Sequence, residues 1–164
     1  MSESEIAFRA PLDDDWPAIL DLAELSFIEL AGAPSQAEWM RNRKSFTPLD
    51  GIQQHFVATS DEHIVGYACV EHRKEAAHGW YRLFVVVEPS ARAELGTTLL
   101  AKLRERLIEL GARHAWVMDF EADARFIAYL EQMGFVRSKN LMVDGKPAVQ
   151  LTMDAPFQSL APPT

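Results

Sequence analysis

One stretch of this sequence carries the residue types of an anion site. Val85-Val86-Val87-Glu88-Pro89-Ser90-Ala91-Arg92-Ala93-Glu94-Leu95-Gly96-Thr97-Thr98-Leu99-Leu100 runs from an apolar, strand-like segment through a short turn into a helical pattern. A helix N-terminus offers unpaired backbone N–H groups and the positive end of the helix dipole, and both favour an anion. Arg92 adds a cation there, and Gly96 leaves room for a ligand to approach the backbone closely. The hydroxyls of Thr97 and Thr98 either donate to the anion or cap the helix.

Other reactive residue types point less far. Asp13, Asp14 and Asp15 are adjacent, so they cannot all face one ion; before Trp16-Pro17 they read as the cap of a helix. Cys69, in Gly66-Tyr67-Ala68-Cys69-Val70, reads as a small buried apolar residue. The five histidines, His55, His63, His72, His78 and His114, have no zinc spacing, and no metal is expected.

The elements that must hold these residues follow from periodicity. Ile6 and Phe8 open a short strand, and Trp16, Ile19, Leu20, Ala23, Phe27 and Leu30 recur at helical spacing. Ser35 and Glu38 form a capping box for a second short helix after Pro34. His55–Ala58 and Ile64–Val70 read as a hairpin around Ser60-Asp61-Glu62, and Tyr81–Val87 as a buried strand. Leu95, Leu99, Leu103 and Leu107 share a helix face, with Gly111 as the terminating residue. Ala115–Met118 is a strand, and Asp123–Met133 a helix ended by Gly134. Phe135–Val143 and Ala148–Met153 form a last hairpin, whose loop reads as longer than the two residues Asp144-Gly145. The predicted fold is a single α/β (α+β) domain: a mixed, mostly antiparallel sheet of six to seven strands with helices on both faces. Residues 1–154 form the domain and 155–164 a Pro-rich tail.

Composition narrows the partners. The chain has 164 residues, a 48% apolar fraction and a net charge of −8, with no basic stripe for nucleic acid. The start, MSESEIAF, has neither a basic nor an apolar signal region, and no apolar run approaches a membrane span, so a cytoplasmic protein is expected.

In the order and spacing of Val87, Pro89, Arg92, Gly96, Leu99 and Leu100, the chain resembles the GNAT family of N-acetyltransferases, which use acetyl-CoA. Ile6, Arg9, Asp15, Ile19 and Leu22 are similar to the family's first strand and helix. Asp123 to Phe135 is similar to its late helix, with Asp123 in place of the usual Asn. The resemblance covers roughly residues 5 to 154. It implies a V-shaped splay between the fourth and fifth strands, with pantetheine on the backbone of Val85 and Val87. The pyrophosphate would sit on amides of Arg92, Ala93, Leu95, Gly96 and Thr97, with Thr98, Asp123 and Tyr129 also near the cofactor.

Two departures stand out. The turn from Arg92 to Gly96 is one residue short of the family pattern, which places Glu94 close to the expected pyrophosphate. Leu130 occupies the position of the family's proton-donating Tyr, and Tyr129 is its neighbour, about 100° round the helix.

The implied activity is acetyl transfer from acetyl-CoA to a primary amine of a small molecule or peptide, by direct attack in a ternary complex. The alternative is a catalytically degenerate ligand-binding or regulatory module of the same fold, without turnover. A lysine-like amine with pKa ~10.4 must lose a proton at a cost of roughly 4.6 kcal/mol at pH 7, so a base is required. Glu71, Tyr81 and Asp119 are the candidates, and Trp39, Phe46, Trp80 and Tyr81 surround the expected acceptor mouth. A homodimer is common among look-alikes.

Overall fold

The computed structural model describes residues 5–31, 52–71, 80–88, 92–143, 145–155 and 157. The helix expected after Pro34, with Trp39 and Phe46, lies outside the described residues, as do His72 and His78.

Seven strands form one sheet: β1 (Ile6–Arg9), β2 (Ile52–Ser60), β3 (His63–Glu71), β4 (Trp80–Val87), β5 (His114–Phe120), β6 (Val136–Val143) and β7 (Lys146–Asp154). Their spatial order is β1-β2-β3-β4-β5-β7-β6, and every pairing is antiparallel except that of β4 with β5. Helix α1 (Trp16–Ala31) covers one face; α2 (Arg92–Glu109) and α3 (Ala124–Met133) cover the other. Among the described residues no helix is long and apolar enough to cross a membrane.

Strand alternation divides the core in two. Trp16, Ile19, Leu22 and Ala23 of α1 pack on Val57, Tyr67, Cys69 and Val86, so the expected burial of Cys69 is observed. Leu95, Leu99, Leu103 and Leu107 of α2 pack with Phe126, Ile127 and Leu130 of α3 on Ala68, Val70, Leu83 and Val87. Phe157 joins this second core. Gly111 and Gly134 end their helices at φ values of 67° and 111°, the left-handed region that an L side chain resists.

Two local expectations change. The β6–β7 register brings Val143 opposite Lys146, so that loop is two residues and not longer, with Gly145 at φ 74°. The Asp13–Asp15 triplet forms a 3-10 turn, and Asp15 bonds backwards rather than capping α1. Its carboxylate accepts two hydrogen bonds from Arg9, at 2.6 and 2.9 Å, and one from the Leu12 amide at 2.7 Å. The Arg9 bonds, helped by the Leu12 amide and opposed by burial, hold the Asp15 carboxyl below its usual range.

A carboxyl with a depressed folded-state pKa stabilises above its unfolded value of ~3.9, and that stabilisation is lost as pH falls through the folded value. Asp15→Asn is therefore expected to cost about 1 kcal/mol at pH 7. The difference between variant and wild type should close as pH falls from the unfolded carboxyl value through the lower folded-state value in denaturant titrations. A difference that persists there would mean the loss comes from something other than the ionised carboxylate.

Candidate active site

The sheet opens where β4 meets β5. Only Trp80, Tyr81 and Arg82 pair with β5, opposite His114, Ala115 and Trp116, although β4 continues to Val87 and β5 to Phe120. Beyond Arg82 and Trp116 the two strands diverge. Parallel strands at the centre of a sheet seldom leave such a gap, because each unpaired N–H and C=O must find another partner.

The backbone of β4 turns the right groups into the gap. The Glu88 N–H donates to the Val65 carbonyl at 2.9 Å, and β4 pairs with β3 without a register shift. Even-numbered β4 residues thus point their polar backbone groups at β3, and alternation turns those of Val85 and Val87 toward β5. An extended ligand with amide groups could pair with that edge as an added strand would.

At the wide end, β4 leads into α2, whose backbone begins at Arg92; the side chains of Arg92 and Ala93 lie outside the described residues. Leu95 is buried and points into the core, so it can offer an anion only its amide. The Thr97 and Thr98 hydroxyls donate to the Glu94 carbonyl, at 2.8 and 3.1 Å. Such back-bonding uses each hydroxyl's one proton within the helix. Glu94 itself is exposed in the first turn.

Gly96 has a packing role that the sequence conceals. A Cβ there would lie 2.9 Å from Phe126 Cε2 and 3.8 Å from Val87 Cγ2. The close approach Gly96 permits is that of α3 and β4.

The three candidate bases do not converge. Glu71 shares the α1 face of the sheet with Tyr67 and Cys69 and is buried, at 7% exposure. Asp119, equally buried, alternates with Val117 onto the α2–α3 face, and its Oδ1 accepts the Phe120 N–H at 2.9 Å. Tyr81 packs on that same α2–α3 face.

On α3, Leu130 is fully buried in the core. Tyr129 is half-buried beside Arg104 of α2; burial pushes its phenol up, and the Arg104 charge opposes that. Asp123 precedes α3, buried, and makes no side-chain cap to it. Among the described residues, no group of three His, Cys, Asp or Glu could hold a metal ion. Clefts of about 520 and 390 Å³, beside α1 and beside β1, include no residue of β4 or β5 among their described linings.

The model of the acetyltransferase (GNAT) family matches residues 16–135, most of the chain and all of the strand–turn–helix unit. This chain belongs to the GNAT acetyltransferase family. Solved structures carry the same fold. A Desulfovibrio desulfuricans protein assigned to the GNAT acetyltransferases is 22% identical, with a TM-score of 0.71 over 92% of this chain and 99% of its own. The ribosomal-protein-S18-alanine N-acetyltransferase of Escherichia coli is 19% identical, with a TM-score of 0.67 over 98% and 99%. A Salmonella typhimurium protein assigned as an acetyltransferase, solved with its cofactor acetyl-CoA, is 16% identical, with a TM-score of 0.67 over 97% and 98%. No curated protein matches this GNAT chain at a significant level. The V between β4 and β5 is thus the GNAT splay, as the sequence motif implied.

Proposed function

We propose that this GNAT domain transfers the acetyl group of acetyl-CoA to a primary amine of a small molecule or peptide, by direct attack in a ternary complex. The observation that carries the reading is the β4–β5 gap with the amide edges of Val85 and Val87 turned into it. Those donors and acceptors match an extended pantetheine, and the N-terminal amides of α2, at the wide end of the gap, suit the pyrophosphate. When bound, acetyl-CoA supplies a thioester that an amine can attack. The chain's part is to hold the extended arm along β4, neutralise the phosphates at α2 and take a proton from the amine. Glu71 is our choice of base, acting directly or through a water. It stands level with the point where β4 and β5 part, on the face away from α2, from which an acceptor would approach.

Thermal unfolding with acetyl-CoA tests binding. At ligand 100-fold above its Kd, stabilisation of about 2.7 kcal/mol is expected. Release of free thiol with a panel of primary amines tests transfer. Stabilisation without thiol release from any amine would favour the degenerate module. Exposed Glu94 in the first turn of α2 motivates that second reading, because its charge opposes a phosphate there. No stabilisation by acetyl-CoA would end the transferase reading and leave a module that binds some other ligand or partner.

Tyr129 is not expected to supply the proton that a departing thiolate takes up. It packs beside Arg104 of α2, and Leu130 is the α3 residue turned into the core. Tyr129→Phe should keep kcat within roughly tenfold, about 1.4 kcal/mol in the barrier. A larger fall in kcat with KM for acetyl-CoA unchanged would assign Tyr129 that role.

A further inference from the structure

Glu71 does not stand alone on its face of the sheet. The β3–β4 register sets Arg82 directly opposite it. Arg82 is also the last β4 residue paired with β5, opposite Trp116. Its guanidinium carbon lies 5.3 Å from the Trp116 ring centroid and 5.5 Å from that of Phe84. Two register positions further from the gap, Trp80 stacks on His114 at 4.4 Å with an interplanar angle of 18°. A cation between two rings thus marks the apex of the splay, one strand from a buried carboxylate.

The physics of that arrangement is specific. A carboxylate taken out of water needs an opposite charge or hydrogen bonds close by. Arginine is suited to supply the charge, because a planar guanidinium can rest on aromatic faces while its edge donors stay directed. Lysine in the same place would bring the charge without the plane, and so without the fixed orientation. Trp116 and Phe84 come from the two strands that part here, so they tie the position of the cation to the geometry of the gap itself.

We propose that Arg82 is a positioning residue: held over the Trp116 and Phe84 rings, it sets the orientation of the Glu71 carboxylate toward an acceptor amine at the apex of the splay. The proposal rests on Glu71 being the base. It assigns no contact between Arg82 and acetyl-CoA, which separates it from a cofactor-binding role.

The test is a mutant cycle. Arg82→Met and Glu71→Gln are made singly and together. Each is measured for acetyl-CoA binding by calorimetry, for kcat and KM, and for stability in denaturant. Arg82→Met is expected to lower kcat by roughly tenfold or more, as misplacement of a reacting group does, with acetyl-CoA affinity within about twofold of wild type. In the Glu71→Gln background the same change should lower kcat no further, since it acts through a carboxylate already gone.

Multiplying effects in the double variant would overturn the proposal while leaving Glu71 as the base. A matching loss of acetyl-CoA affinity would overturn it too, because Arg82 would then serve the cofactor. If Glu71→Gln alone left kcat unchanged, the base assignment would fail with it. Arg82→Lys keeps the charge and covers the case in which the methionine variant does not fold. It should lose kcat in the wild-type background, regain part of what methionine loses, and be silent beside Glu71→Gln. A lysine variant equal to wild type in kcat would show that the planar guanidinium has no role beyond its charge.

Discussion

Gly96→Asp is expected to destabilise the whole domain by more than about 3 kcal/mol, not merely to remove an anion site. Two effects add. The new Cβ meets the Phe126 ring at 2.9 and 3.3 Å, inside contact distance, where α3 and β4 close on α2. Overpacking of a fixed core typically costs about 1–3 kcal/mol. The carboxylate is then driven against the apolar Phe126 and Val87, and a charge pressed into apolar surroundings costs several kcal/mol more. Against this, replacing a helical glycine returns at most about 1 kcal/mol. For a domain of this length the melting temperature should fall by roughly 6 °C or more.

Gly96→Ala separates the terms. It keeps the overpacking and the helix gain but adds no charge, so it should fall between wild type and the aspartate variant. An aspartate variant that melted within about 2 °C of wild type would show that Phe126 steps aside freely, and the packing role of Gly96 would be lost. The same physics bears on acetyl-CoA binding. A substitution at Gly96 cannot report on phosphate recognition alone, because its Cα side faces protein.

Glu71→Gln should lower kcat by roughly 100-fold or more, the usual contribution of a positioned base, with the KM for acetyl-CoA little changed. Glutamine keeps the length and shape of the side chain at a buried position level with Arg82, but cannot take a proton from an ammonium. Asp119→Asn is the internal comparison. Asp119 lies on the α2–α3 face, so its loss should act mainly on stability or acetyl-CoA affinity. Full activity in Glu71→Gln together with its collapse in Asp119→Asn would move the base to the other arm of the splay.

Much of the fold was legible in the chain because its signals are local. Leu95, Leu99, Leu103 and Leu107 fall on one helix face whatever surrounds them, and Gly111 and Gly134 mark helix ends by backbone sterics alone. Val87, Pro89, Arg92 and Gly96 identified the strand–turn–helix unit, and through it the splay, from spacing over ten residues. The family match covers that same unit.

What only the tertiary structure decided is which neighbour each residue meets. Alternation along a strand says that side chains point to opposite faces, but not which helix covers which face. Glu71, Tyr81 and Asp119 were therefore equal candidates until register placed Glu71 on the α1 face and the other two on the α2–α3 face. The same holds for Gly96, whose missing side chain accommodates Phe126, 30 residues on, and for Asp15, which bonds back to Arg9 instead of capping forward. Short-range patterns follow from backbone geometry and are written in the chain. A contact between distant segments depends on how several such patterns pack at once, so it is settled only when the core closes.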